Sequence, residues 1–198
     1  MKKLTGLALV VLLITPLPLF AATPLETVRT EINKVLDVLR DQSPRGESGK
    51  KTKKTKIRSI ANRIFDYAEL SKRTLGQNWK QLDARQQKEF TDLYASLLAE
   101  TYANRILSYS NEKVLYGKEK PLSEKTVEVQ TTIVTTKQTD IPINYRVIQK
   151  DGDWKVYDIV IEGVSLINNY RSQFREILAN KPPEALLDTL RKKVGEKE

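Results

Sequence analysis

Two residue types are missing from this 198-residue chain altogether: cysteine and histidine. Without cysteine no disulfide can staple the fold, and a signal sequence, if present, cannot be that of a lipoprotein. Without histidine or cysteine, zinc sites built on either are excluded. So are Ser-His-Asp and Cys-His nucleophile systems. Any catalysis would have to rest on Asp, Glu, Lys or Tyr, which tilts the reading toward a binding protein. Beyond the N-terminus there is no apolar run long enough to cross a bilayer, and no internal repeat. The folded part must stand on its hydrophobic core alone.

What is present begins with an export signal. Lys2 and Lys3 form a basic start, Leu4 to Ile14 an apolar run, and Leu19-Phe20-Ala21-Ala22 a stretch ending in small residues. The spacing predicts a signal peptide over residues 1–22, cleaved after Ala21 or Ala22, with Pro16 and Pro18 making it a poor spanning helix. A single domain over residues 23–194 and a frayed tail at 195–198 are expected to follow. Formal charge is +9 for the whole chain, and +7 once Lys2 and Lys3 are removed. In a cytosolic protein that excess would suggest nucleic acid; export argues against it. Anionic lipid headgroups or acidic protein surfaces fit better, and the plainer alternative is that the charge only maintains solubility.

Taken in order, the chain reads as helices, then a meander, then helices. Leu25, Val28, Ile32, Val35, Leu36 and Leu39 recur at helical intervals, predicting a first helix over about Pro24 to Asp41, with Thr23 as its cap. Ser43 to Thr55 (SPRGESGKKTKKT) combines proline, two glycines and a lysine run and is expected to be an exposed loop. Its lysines are candidates for a phosphate-docking patch or are merely solvated. Helical spacing resumes at Ile57, Ile60, Ile64 and Phe65. A short helix over Ala68 to Leu75 is expected to end at Gly76. Asp83 with Gln86 makes a capping box for the longest helix, about Ala84 to Tyr109. From Asn111 the period shifts toward two. Lys113 to Tyr116 reads as a short strand, Gly117 to Glu124 as a turn-rich connection, Thr126 to Thr136 as a long strand and Asp140 to Pro142 as a turn. Ile143, Tyr145 and Val147 alternate along one strand and Trp154 to Ile161 form another. Asp151-Gly152 between them supplies a hairpin turn. Ser165 caps a helix whose apolar positions include Leu166, Ile167, Tyr170 and Phe174. A last helix begins at Pro183. The fold class is α+β, an antiparallel sheet with helices laid against it.

One acid stands inside the apolar run of a strand: Asp158. Simple alternation puts it on the same side as Trp154, Val156 and Val160. It has two readings. One is a general acid or base in a cone-shaped pocket, as in isomerases or dehydratases of similar architecture. The other is a buried strut paired with Arg146 or Arg171.

Three segments carry a family resemblance: FDYAELSKRTLGQNW (Phe65 to Trp79), EFTDLYASLLAETYANRILSY (Glu89 to Tyr109) and WKVYDIVIEGVSLINNYRSQF (Trp154 to Phe174). In this order after a signal peptide they resemble the MlaC family of periplasmic phospholipid carriers, also called toluene-tolerance auxiliary proteins. The W-x-V-x-D-I-x-I-E-G-V-S-L run is the most specific part. The basic 43–55 segment matches no family motif. The resemblance implies a nuclear-transport-factor-like α+β domain with additional N-terminal helices, holding lipid tails between a curved sheet and its helices. It further implies a periplasmic monomer that shuttles phospholipid between an outer-membrane lipoprotein–porin complex and the lipid-binding ring of an inner-membrane ABC transporter, thereby maintaining outer-membrane lipid asymmetry. It implies no metal, nucleotide or other cofactor on the carrier, and no enzyme activity. Each exposed CH₂ costs about 0.8 kcal/mol, so two acyl chains of roughly 30 methylenes would cost on the order of 20 kcal/mol in water. The tails must therefore be enclosed and the charged headgroup left at the mouth. The wall residues expected from the helices are Leu70, Leu75 and Trp79, with Leu93, Leu97 and Tyr102 on the long helix. From the sheet they are Val129, Ile133, Tyr145, Val147, Ile159 and Ile161, with Val164 after it. A further reading makes the protein an adaptor whose basic segment docks acidic protein.

Overall fold

The computed structural model describes residues 22–43, 46–108, 112–135 and 140–195. The expected signal peptide lies outside them, apart from Ala22, as does the tail beyond Gly195. Helix α1 (Pro24–Arg40) opens with a capping box in which Thr23 and Glu26 satisfy each other's backbone N–H, and Pro24 occupies the first turn. Next come α2 (Gly46–Ile64), α3 (Tyr67–Leu75), a 3₁₀ turn (Gly76–Gln81) and α4 (Ala84–Leu107), the last opened by the Asp83/Gln86 box. Strands β1 (Lys113–Ser123), β2 (Thr126–Val134), β3 (Asp140–Lys150), β4 (Asp153–Ile161) and β5 (Val164–Ser165) form one antiparallel sheet in sequence order. Helices α5 (Leu166–Leu178) and α6 (Pro183–Gly195) close the chain. This is the expected α+β class.

Four expectations are corrected. The 43–55 segment is not a loop: from Gly46 it is the first half of α2. Lysine is a good helix former and each glycine costs only about 1 kcal/mol against alanine, so packing decides. Ile57 and Ile64 are half-buried and Ile60 is buried. Gly49 is buried as well, and Lys53 Nζ donates to the Leu39 carbonyl in the last turn of α1 (2.8 Å).

The stretch 117–124 is not a turn-rich connection either. β1 runs through to Ser123, with its register against β2 slipping between Tyr116 and Glu119. Gly117 sits at that slip because a Cβ there would come within 3.2 Å of the Gln130 carbonyl oxygen. Likewise residues 140–142 are not a turn but the start of β3.

The fourth correction moves Asp158 to the other face of the sheet. Arg146 pairs with Asp158, whereas Val147 pairs with Val156, so Tyr157 is an extra residue, a β-bulge. Val156 and Trp154 therefore share a face with Ile159 and Ile161. Asp158 and Val160 occupy the opposite one.

Two turns take positive φ where the chain reverses: Asp151-Gly152 (φ 52° and 88°) and Glu162-Gly163 (φ 49° and 83°), the geometry of tight primed turns. Two apolar clusters result. One joins α3 to α6 around the rings of Phe90, Tyr94, Tyr170 and Phe174, whose contacting centroids lie 5.2 to 5.6 Å apart. The other presses Val28 of α1 onto Val129, Val147 and Val156 of the sheet. Phe65 and Ile159 touch both.

Candidate functional site

Register defines one apolar face of the sheet, row by row. Val127 lies beside Val147 and Val156; Val129 beside Tyr145 and Ile159; Thr131 beside Ile143 and Ile161; and Ile133 beside Ile141. Val164 extends the row of Ile161 onto β5. Helix α1 covers part of this face. Its Leu25 N–H donates to Glu119 Oε1 (2.7 Å), Arg29 stacks over the Tyr116 ring (4.8 Å), and Asn33 accepts from the Tyr116 hydroxyl (3.2 Å).

Burial is deepest in the middle of this face: Val127 and Trp154 at one end are half-buried, and buried Thr131 stands among the half-buried residues toward the other. Val129, Val147 and Val156 are sealed under α1. Tyr145, Ile159, Ile143, Ile161 and Ile133 are only half-buried, and Val164 is 58% exposed. Along α4 burial runs from Phe90 and Tyr94, fully enclosed, through Leu97 to half-buried Tyr102, Ile106 and Leu107. The end of the sheet face marked by Ile133, Ile161 and Val164 is its open end. Large apolar side chains left half-buried here offer surface that further apolar surface can cover.

Tyr145 belongs to this half-buried set. Burial pushes its phenol far above the ordinary tyrosine value, with Tyr116 adding to the effect, yet the side chain keeps accessible surface.

The expected wall residues thus divide. Trp79, Leu93, Tyr102, Ile133, Tyr145, Ile159 and Ile161 are half-buried. Leu70, Leu75, Leu97, Val129 and Val147 are packed core, within the two clusters. Val164 sits at the open end. Ile143 joins the accessible set without having been expected there, although the alternation that selects Tyr145 and Val147 selects it too.

On the opposite face a cleft of about 150 Å³ is lined by Arg73, Arg146, Tyr157, Asp158, Ser165 and the start of α5. Asp158 is fully enclosed and all its contacts are donors. Oδ2 accepts from Arg146 Nη1 (3.1 Å) and Ser165 Oγ (2.7 Å), and Oδ1 accepts from the Ile167 N–H (3.1 Å). Arg146 also binds Glu128 through Nε (3.0 Å). Of the two expected partners, Arg146 takes the role. Arg171 turns instead to the Arg73 carbonyl and Asn168. A carboxylate bound this way ties β3, β4 and the α5 N-terminus together, and its negative charge suits that helix end. It is a strut.

Tyrosines in the helical core show the same desolvation. Burial raises the Tyr94 phenol far above its usual value, against the Thr74 contact, and pushes Tyr67 up to about 12. Among the described residues no cluster of acids could hold a metal ion, and no helix is long and apolar enough to cross a membrane.

Comparison with known proteins agrees with this architecture. Residues 29–192 match the family model described as MlaC protein. The intermembrane phospholipid transport system binding protein MlaC of Haemophilus influenzae is 26% identical over 145 residues, covering 69% of this chain and 67% of its own. The toluene tolerance protein Ttg2D of Pseudomonas putida is 22% identical over 172 residues, covering 86% and 80%. A phospholipid-binding protein from Ralstonia solanacearum, solved in complex with a phospholipid, superposes with a TM-score of 0.79 at 26% identity. That match covers 88% of this chain and 98% of that one.

Proposed function

The chain belongs to the MlaC family, and from that membership we propose that it is a soluble periplasmic phospholipid carrier. Residues 1–22 are its export signal, and residues 23–194 fold as a single lipid-binding domain. Acyl chains lie against the half-buried rows Ile133, Ile143–Ile161 and Tyr145–Ile159, opposite Tyr102 on α4. The headgroup stays in water at the open end near Val164. The packed residues Leu70, Leu75, Leu97, Val129 and Val147 form the outer shell of that space, and cargo reaches them only if the core moves. No cofactor takes part and Asp158 catalyses nothing. The protein works as a monomer, receiving and delivering lipid at an outer-membrane lipoprotein–porin complex and the lipid-binding ring of an inner-membrane ABC transporter. By this route it serves outer-membrane asymmetry.

The observation that carries the reading is the accessible apolar face, on which Tyr145, Ile143, Ile159 and Ile161 are half-buried. A phospholipid in the Ralstonia solanacearum relative supports it. Enclosure rather than headgroup recognition supplies the affinity, at about 0.8 kcal/mol per methylene, so headgroup selectivity is weak.

Organic extraction of the purified protein followed by mass spectrometry tests the reading, and phospholipid in near-stoichiometric amount is expected. Recovery of none, with a crystal structure in which side chains fill the space around Tyr145, would overturn it.

A further inference from the structure

Helix α2 carries most of the protein's excess positive charge. Between Gly46 and Ile64 it has five lysines and two arginines against the single acid Glu47, whereas the entire chain nets +9. Its neighbours show where that charge lies. Lys54 pairs with Glu100 (3.1 Å) and Arg58 bonds Ser96 (2.8 Å), so α2 runs antiparallel to α4. The lysine-rich half then lies beside the C-terminal end of α4, where Tyr102, Ile106 and Leu107 are half-buried. Helix α1 agrees: it starts at Glu119, passes Tyr116 by Asn33, and meets Lys53 at Leu39. The basic half of α2 rims the open end of the apolar face.

Some of this charge is answered locally, Lys50 by Glu47 and Lys54 by Glu100, while Lys56 stands 3.9 Å from Asp41. Lys51 has no acidic partner among the described residues. Outward, Ser48, Lys51, Thr52, Thr55 and Lys56 share one exposed face of α2. The Thr52 and Thr55 hydroxyls donate to backbone carbonyls of the preceding turn, which leaves ammonium groups as the charged donors of this face. Its composition selects the partner. No aromatic or large apolar side chain lines it, so the anchors on which specific protein–protein interfaces depend are missing. Lysines supply mobile point charges, whereas bidentate recognition of carboxylates favours arginine forks.

We propose that this face of α2 docks the protein on the phosphate surface of an anionic bilayer, with the open end of the apolar face toward the membrane. The orientation rests on the lipid-carrier reading; the docking does not.

Cosedimentation of the full mature chain with vesicles tests it. Binding is expected to vesicles of phosphatidylcholine and phosphatidylglycerol in equal parts, not to phosphatidylcholine alone, and is lost at high salt as charges are screened. Near a membrane each basic residue contributes about fivefold in partitioning, so K51E/K56E should weaken binding by roughly thirty-fold or more, while K51R/K56R retains it. Circular dichroism of each variant establishes that it is folded. Equal binding to both vesicle types, or undiminished binding by folded K51E/K56E, overturns the proposal. So does a wild-type protein that ignores the vesicles but binds polyglutamate, which would assign the face to an acidic protein. Phospholipid recovered from a protein that fails to dock would sink this inference and leave the carrier reading standing. Docking without extractable lipid would do the reverse.

Discussion

Substitution of Asp158 by asparagine separates a strut from a catalyst. The carboxylate is fully enclosed and accepts three hydrogen bonds, from Arg146, Ser165 and Ile167. Asparagine keeps one acceptor oxygen, which can stay on the Ile167 N–H. Its amide then faces two other donors, Arg146 Nη1 and the Ser165 hydroxyl. With Oδ2 replaced by an NH₂ group, the Ser165 proton loses the acceptor it has in the wild type, and a buried donor left unmade costs about 1–3 kcal/mol. The lost ion pair adds less than a fully buried one would. The Arg146 side chain is 31% exposed and keeps Glu128, so solvent and the second acid blunt the loss. The total is about 3 kcal/mol, and at roughly 2–4 °C per kcal/mol for a domain of this size the melting temperature should fall on the order of 10 °C. Urea denaturation should show a lower midpoint with an unchanged slope. A double-mutant cycle with Arg146→Met should return a coupling of about 1 kcal/mol. A D158N protein with wild-type stability that has lost activity would refute the strut and restore the acid–base reading.

Two further predictions come from burial and charge. Leu70→Ala, at a fully enclosed position, should cost about 2–5 kcal/mol, whereas Ile161→Trp, at a half-buried one, should leave the urea midpoint nearly unchanged and lower the phospholipid recovered per chain. A large stability loss in Ile161→Trp would mean that the face is packed core. Asp66, the cap of α3, has its carboxyl held below the ordinary 3.8: burial raises it, but the Lys150 ammonium and the Glu69 and Ala68 N–H groups outweigh burial. A depressed acid contributes stability that is complete above the unfolded value near 3.8 and is lost as pH falls through the lower folded value. Acid unfolding of Lys150→Met should therefore be less steep below pH 3.8 than that of the wild type, and identical profiles would refute the pairing.

Much of the fold was legible because local signals and tertiary structure agreed. The Thr23 and Asp83 caps, the Ser165 cap of α5 and the Asp151-Gly152 turn are each set by a few neighbouring residues, and all formed as read. Where packing or hydrogen-bond register decides, reading failed. The lysine-rich segment looks like a loop by composition but is helical because α1 and α4 lie beside it. Gly117 looks like a turn residue but marks a close approach to Gln130 within a strand.

The wall set was legible only as a list of apolar residues. Periodicity tells which side of an element is apolar, not how far along it the neighbouring elements reach. Thus Val147 and Tyr145, two residues apart on one strand face, came out sealed and reachable respectively. The sequence alone determined the residue types available for chemistry, the helix caps, the turn at Asp151-Gly152 and the family motifs, since each is a property of composition or of short spacing. Only the tertiary structure decided that a bulge at Tyr157 turns Asp158 away from the apolar face, and that the α2 lysines stand at its open end. Strand register and helix packing are sums over distant contacts, and no stretch of neighbouring residues encodes them by itself.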